Sequence, residues 1–357
     1  FTNWDDNHYV TENQLIRTMD VGQHFNTNSI VVANYHPLTT LSLAMNYQFS
    51  GLEPQGYFVT NVLLHLLNTF LVFFFIYHLT KRRLIPAIVT ASIFALHPMH
   101  VESVSWISER KDVLFTAFFM GALLAYHRYL SKGKMALYAL SMVLFVCSIL
   151  SKPTAVVLAV VVLLVDYFEG KKWDKRLILE KVPFFVISII FGLLTWQAQS
   201  GSGATGDFAY FSIFERIMIA SHNFVVYLGK FFMPVKLSAF YPYPMPLGEL
   251  TVFFFVAPFL VLGIIGAAIW GWKKGIKPLF FGIAFFAVTI ALTLQFITVG
   301  DALMAERYTY VPYIGIALML GLGYDYLVKN QGKIPINIKS LHVLTIVLGA
   351  FMAFQTC

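Results

Sequence analysis

Ten apolar runs, each long enough or nearly long enough to cross a hydrocarbon core ~30 Å thick, take up most of this 357-residue chain. They lie at about 57–79, 84–100, 112–131, 135–150, 153–168, 182–199, 251–271, 279–297, 310–327 and 341–355. A lipid interior offers no water to backbone N–H and C=O groups, so a spanning chain must be helical or a closed barrel. Run length and the lack of strict alternation predict helices. With 58% hydrophobic and 12% charged residues and a mean hydropathy of +0.70, a soluble domain could not hide the apolar surface. The expectation is an all-α polytopic membrane protein with about 10 spans, several of them short and joined as tight hairpins.

Lysine and arginine orient the bundle. The loops carrying Lys81 to Arg83, Arg128 to Lys134, Lys171 to Lys181, Lys273 to Lys277 and Lys329 to Lys339 hold 17 of the 25 basic residues. That side is expected to be cytoplasmic. The other side holds 13 of the 18 acids. The net charge of +7 is thus a loop pattern and argues against nucleic acid as a partner. Residues 1–56 read as a first non-cytoplasmic loop and 57–199 as membrane spans. Residues 200–250 read as a second non-cytoplasmic loop, and 251–357 as further spans. Within 200–250 the segment 212–233 is amphipathic and is expected to be an interfacial or re-entrant helix. The chain starts at Phe1 in mid-loop, so a preceding span is expected. Cys147 and Cys357 make a disulfide framework unexpected.

Five polar clusters fall on the outer side. Asp5 and Asp6, with Tyr35 and His36 further along the same loop, could be turn and cap residues. They could equally be a general base and the group that tunes or orients it. His97, His100 and Glu102 gather where a span ends. They could ligate a metal, but Pro98 breaks the helical spacing, and capping a helix or lining a polar cavity suits them better. Glu109-Arg110-Lys111-Asp112 precedes a span; Asp112 could cap it, and Arg110 and Lys111 could anchor to lipid headgroups. Those cations sit where basic residues are scarce, however. With Lys152 before Pro153 they could hold a phosphate, the guanidinium bidentately and the ammonium as a point charge. Arg216 and the run Glu306-Arg307-Tyr308 complete the set, Glu306 and Arg307 being either an internal pair or part of a site. Acids and cations on one face suit a reaction in which a hydroxyl attacks and a phosphate leaves.

These motifs occur together and in order: Phe1-Thr2-Asn3-Trp4-Asp5-Asp6, Tyr35-His36-Pro37-Leu38, His97-Pro98-Met99-His100-Val101-Glu102, Arg110-Lys111-Asp112, Ser151-Lys152-Pro153 and Glu306-Arg307-Tyr308. The set resembles the membrane portion of the transmembrane and tetratricopeptide-repeat protein O-mannosyltransferases and their bacterial relatives, in the GT-C glycosyltransferase superfamily. The resemblance implies a GT-C-like bundle and an inverting transferase. Its donor would be a monosaccharide, mannose or a similar hexose, on a polyprenyl-phosphate carrier, and its acceptor Ser/Thr hydroxyls of exported proteins. It implies Asp5 or Asp6 as the base; the charge pattern itself is what puts Arg110, Lys111, Lys152 and Arg307 around the donor phosphate. Tyr35, His36, His97, His100, Glu102, Glu306 and Tyr308 would meet substrate. No cofactor is expected beyond the lipid-linked donor, and no metal. The expected location is a bacterial inner (cytoplasmic) membrane in preference to the endoplasmic reticulum, with the site on the non-cytoplasmic face and tetratricopeptide repeats after residue 357. The alternatives are a transferase or ligase acting on a glycan, a sugar-lipid flippase or transporter, and an assembly subunit without activity. A transporter would place its charges near the bilayer midplane, whereas these lie at helix ends.

Overall fold

The computed structural model describes residues 1–2, 4–201, 211–244, 250–297 and 302–331, with 349, 351, 354 and 355. Most of the expected last span, 341–355, and part of the 200–250 loop lie outside the described residues. In chain order the helices are α1 (Val21–His24), α2 (Pro37–Ser50), α3 (Pro54–Leu79), α4 (Leu84–Leu96), α5 (Val101–Ser105), α6 (Arg110–Lys132) and α7 (Met135–Ser151). They continue with α8 (Leu158–Glu169), α9 (Lys175–Leu179), α10 (Val182–Gly201), α11 (Ile213–Phe232), α12 (Val252–Lys273), α13 (Lys277–Ile290) and α14 (Tyr313–Lys329). Among the described residues the regular structure is helical apart from one small antiparallel pair, Tyr241–Pro242 with Ala302–Met304, and a single bridge between Val31 and Asn34.

Four segments among the described residues are long and apolar enough to cross a membrane: Pro54–Leu79, Ile107–Lys132, Lys175–Ala198 and Val252–Lys273. A fifth is gained if α4 and Pro98–Ser105, bent by 59°, count as one span. Met135–Ser151 and Lys277–Thr293 are apolar but shorter than the ~20 residues a straight crossing needs. On the long helices large apolar side chains such as Phe70, Leu193 and Phe259 face outward, 62%, 65% and 73% exposed. That disposition requires lipid rather than water around them.

Local sequence explains the breaks. Proline opens α2, α3 and α13, where its missing N–H costs nothing. Left-handed Gly133 and Gly170 end α6 and α8. Pro98 stops α4 at Leu96, and the bend that follows turns α5 back across the end of the bundle. The main core joins α3, α4, α6, α7, α8, α13 and α14 around Phe75, Phe119, Phe145 and Leu318. At its tightest crossing a Cβ on either Gly282 (α13) or Gly315 (α14) would lie 2.7 Å from the other's carbonyl oxygen. Only glycine permits that approach. A second core packs α11 against α12, α13 and α14 through Phe224, Tyr227, Phe231, Phe254 and Phe286. Helix α11 starts with a Ser212/Glu215 capping box and leaves Ile213 and Phe214 exposed.

A third, small core fixes the first loop. Tyr9, Val10 and Ile16 pack on Leu43, Ala44, Tyr57 and Ile107, which seats the acidic motif on α2, α3 and the turn before α6.

Candidate functional site

Asp5 and Asp6 are neighbours with different surroundings. Asp6 is buried. Its carboxylate accepts from the backbone N–H of Ser108 at 2.9 Å, from the Ser108 hydroxyl, and from the backbone N–H and hydroxyl of Thr2 at 2.8 and 3.3 Å. That is a saturated anchor. The Asp5 side chain is 32% exposed, and one carboxylate oxygen lies 4.0 Å from Lys111 Nζ.

Behind Asp5 runs a string of ion pairs. Lys111 Nζ is 3.0 Å from Glu109 and sits 4.7 Å above the Tyr9 ring. Glu109 is wholly buried and also meets Arg307 Nε at 3.3 Å. Arg307 binds the Glu102 carboxylate through both its guanidinium and its backbone N–H, the latter at 2.9 Å. Its guanidinium lies 5.3 Å over Trp106 and 5.0 Å over Tyr308. Burial works against the charge on Arg307, but Glu109, Tyr308 and Glu102 outweigh it and hold the group protonated. Lys152 pairs with Asp112, which also accepts from the Ser103 hydroxyl at 3.2 Å. Lys152 Nζ is 6.0 Å from the Tyr308 ring. Three cations therefore stand among four carboxylates at one end of the bundle. Desolvated charge at this density persists only when every member is paired.

The site draws on distant pieces of chain for geometric reasons. Lys111 and Asp112 occupy the first turn of α6, while Glu102 arrives on α5 through the bend at Pro98. Lys152 caps the end of α7, donating its backbone N–H to Ser148 O. Arg307 arrives on the turn Glu306–Thr309 just before α14. The Thr39 hydroxyl, donating to Ser151 O at 2.8 Å, ties α2 beside Lys152. His36 is buried and stacks on Tyr9 with ring centres 5.3 Å apart. Neither of its ring nitrogens has a hydrogen-bond partner. Burial first and the Lys111 charge second pull its pKa down to about 3, so the ring is neutral. Burial pushes the Tyr9 phenol up to about 12 against the pull of Lys111.

Several expected site residues lie elsewhere. Arg110 is fully buried and turned away from the ion pairs. It donates to Asn61 Oδ1 at 2.5 Å, Ser42 Oγ at 2.8 Å and Tyr57 O at 2.9 Å, clamping α2 to α3. Asp112 is not the cap of α6; Glu109 stands at that position and makes no side-chain cap. His97 meets Phe231 O at 3.1 Å and His100 meets Phe94 O at 2.8 Å, both packed among aromatic rings. No group of three or more His, Cys, Asp or Glu side chains placed to hold a metal occurs among the described residues. Tyr35 donates to Phe25 O within the first loop. Glu306 does not pair with Arg307. It accepts from Ser238 N at 2.6 Å and the Tyr241 hydroxyl at 2.9 Å, which pins the loop after α11, and burial raises its pKa. Tyr308 does join the cluster, beside Arg307 and Lys152.

Sequence reasoning underrated Glu109 and missed Tyr9 and the aromatic rim. Trp4, half exposed, lies 5.6 Å from Trp106 and 6.3 Å from Phe240. The available signal was aromatic residues next to each charged motif: Trp4 beside Asp5, Trp106 before Glu109 and Phe240 before Tyr241.

Residues 55–196 match the family described as dolichyl-phosphate-mannose-protein mannosyltransferase. The chain is 32% identical to protein O-mannosyl-transferase TMTC1 of Homo sapiens over 153 residues, 40% of this chain and 17% of that protein. It is 32% identical to Tmtc1 of Drosophila melanogaster over 127 residues (34% and 14%), and 37% identical to TMTC4 of Homo sapiens over 106 residues (26% and 14%). The match thus spans less than one fifth of the length of each of these relatives. No solved structure matches. The chain resembles the TMTC protein O-mannosyltransferases of the GT-C superfamily. The family match includes Glu102, Glu109, Lys111, Asp112 and Lys152; Asp5, Asp6 and Arg307 lie outside it.

Proposed function

We propose that this protein O-mannosyltransferase-like chain moves a hexose, mannose or a close relative, from a polyprenyl-phosphate carrier to Ser/Thr hydroxyls of exported proteins, with inversion at the anomeric carbon. The observation that carries the reading is the contrast between the two aspartates. Asp6 has no free acceptor capacity, whereas Asp5 is part exposed beside a row of cations. Asp5 is therefore the general base and Asp6 the residue that holds the loop in place.

In the proposed step the Asp5 carboxylate takes the acceptor hydroxyl proton as that oxygen attacks the anomeric carbon. The bond from that carbon to the carrier phosphate breaks, and the negative charge grows on the phosphate. Lys111, Lys152 and Arg307 stabilise it by sharing their N–H donors between their present carboxylate partners and the departing oxygens. Arg110 is not among them, because each of its three guanidinium nitrogens donates inside the α2–α3 contact. Tyr308 and the Trp4–Trp106 rim offer flat apolar faces for a sugar ring or an acceptor side chain. The lysine distribution favours a non-cytoplasmic site in a bacterial inner membrane. The shorter apolar helices α4, α7, α8, α13 and α14 would complete a GT-C-like bundle of about ten tilted or locally thinned spans.

The test mixes purified protein with polyprenyl-phosphate mannose and candidate exported proteins and reads transferred hexose by mass spectrometry. Transfer that survives Asp5→Asn undiminished would sink Asp5 as base. Movement of the sugar lipid across a vesicle bilayer, with no acceptor modified, would replace the transferase reading with a flippase.

A further inference from the structure

Helix α6 is 23 residues long, so its Lys132 end lies about 30 Å from the ion pairs at its Arg110 end. At that far end α3 and α6 finish side by side, and the turn after α3 carries Lys81 and Arg82 with φ of +57° and +65°. A cavity of about 400 Å³ opens there, bounded by His78, Lys81, Arg82, His127, Arg128 and Lys132. The neighbouring basic residues are already committed. Arg83 pairs with Asp325, Lys181 pairs with Asp166, and Lys171 donates to Leu130 O. Among the described residues, the side chains of Lys81, Arg82, Arg128 and Lys132 make no hydrogen bond and no ion pair within 4 Å, Glu169 being the carboxylate that feels the Lys81 charge. The negative ends of the α3 and α6 macrodipoles offset about one charge between them and Glu169 one more, fewer than the four cations gathered.

His127 supplies a second and independent observation. It is 6% exposed, its Nε2 lies 3.0 Å from Glu169 Oε1, and its Nδ1 is buried with no hydrogen-bond partner. Glu169 is the carboxylate at this end that contacts a cavity residue, and it faces the ring nitrogen on the far side from Nδ1. Carrying a hydrogen on each nitrogen, the ring would donate to Glu169 from Nε2 and to an anion from Nδ1. A buried polar nitrogen left unmatched at the wall of a cationic cavity is the arrangement an anionic ligand would complete.

We infer that this cavity at the lysine-rich end binds a phosphate group, gripped by Arg82 and Arg128, with His127 Nδ1 and the Lys81 and Lys132 ammonium groups around it. Arginine forks match phosphate oxygens bidentately, and the lysines add point charge. The phosphate could belong to the headgroup of an anionic phospholipid lying between α3 and α6 or to a soluble phosphate.

The test titrates the full chain in neutral detergent with phosphatidylglycerol, with phosphatidylcholine and with inorganic phosphate, reading retained lipid by native mass spectrometry and thermal stabilisation. The site predicts that one phosphatidylglycerol is held in preference to phosphatidylcholine, or, for a soluble ligand, that inorganic phosphate alone stabilises. Arg82→Gln with Arg128→Gln, both exposed and so neutral for folding, should weaken whichever ligand binds at least about tenfold. His127→Gln should weaken it several-fold. The paired change Lys273→Gln and Lys274→Gln removes two exposed lysines from the same end, where Lys277 reaches Phe168 O, and should change nothing. Equal weakening by that pair, or no preference for any anion, overturns the site in favour of general surface charge.

Discussion

Asp6 and Ser108, 102 positions apart, are joined by two hydrogen bonds from the serine backbone and hydroxyl to one carboxylate oxygen. This contact brings the first loop to the turn that opens α6 and so sets Asp5 next to Lys111. It divides two adjacent aspartates into a fastener and a free acid. It also explains why the acidic motif sits at the surface without drifting: half of it is buried and fully satisfied.

Asp6→Ala leaves the buried Ser108 N–H and hydroxyl without an acceptor, at a cost of about 1–3 kcal/mol. Thermal unfolding in detergent should show the loss. Asp5→Asn should leave the unfolding temperature where it is and lower transfer by about 10²–10⁴-fold, the usual contribution of a general base. Identical effects of the two changes on both readouts would contradict the division of labour.

Arg110 and Lys111 should separate in the same way. Arg110→Met strands Asn61 Oδ1, Ser42 Oγ and Tyr57 O, at about 1–3 kcal/mol, so the protein should become less stable with any surviving activity showing an ordinary KM. Lys111→Gln should act on kcat/KM for the lipid-phosphate donor beyond any change in melting temperature. Paired melting curves and steady-state kinetics decide this.

His36 predicts a pH dependence. Its folded pKa, about 3, lies below its unfolded value of 6.5. The unfolded chain therefore takes up the proton first as pH falls. The stability due to a neutral His36 is complete above pH 6.5 and is lost as pH drops from there toward 3. At pH 5 the loss is about 2 kcal/mol. His36→Phe keeps the stack on Tyr9 and removes two nitrogens that have no partner. The variant should match the wild type at neutral pH and melt higher at pH 5; superimposable pH profiles would contradict the burial of a neutral imidazole.

The α13–α14 crossing is a test of packing. Gly315→Ala forces a Cβ against the Gly282 carbonyl oxygen and should destabilise by about 1–3 kcal/mol, loosening the turn before α14 that carries Arg307. Gly192→Ala on α10 meets nothing within 4 Å and should be neutral or stabilise by up to about 1 kcal/mol. Melting temperatures of the two variants give the comparison.

Which charged residues would meet was only partly legible. The motifs at Asp5, Glu102, Lys111, Lys152 and Arg307 were recognisable as polar islands at the ends of apolar runs, and the structure brings those five together. The adjacent pairs were not resolvable. Consecutive residues on a helix project about 100° apart, so Lys111 turns toward Glu109 and Asp5 while Arg110 turns into the α2–α3 contact. The pair Glu306 and Arg307 splits likewise, one toward Tyr241 and the other toward Glu102 and Glu109. His97 and His100 looked like ligands because histidine, proline and glutamate cluster there; in the fold they satisfy carbonyl groups where α4 bends. The length of each span was also hard to read, since an apolar run does not announce where a proline or a left-handed residue will cut it.

The sequence by itself determined that this is an all-helical chain facing lipid, because apolar surface on this scale is tolerable only in hydrocarbon and only with the backbone satisfied within each segment. It also determined that the charged residues gather toward the ends of the apolar runs. The tertiary structure alone decided what each charge does. An ionisable group so close to lipid must find a partner, and whether that partner is a backbone amide, a hydroxyl or an opposite charge depends on loops and bends that bring together residues as far apart as Glu102 and Arg307, 205 positions along the chain.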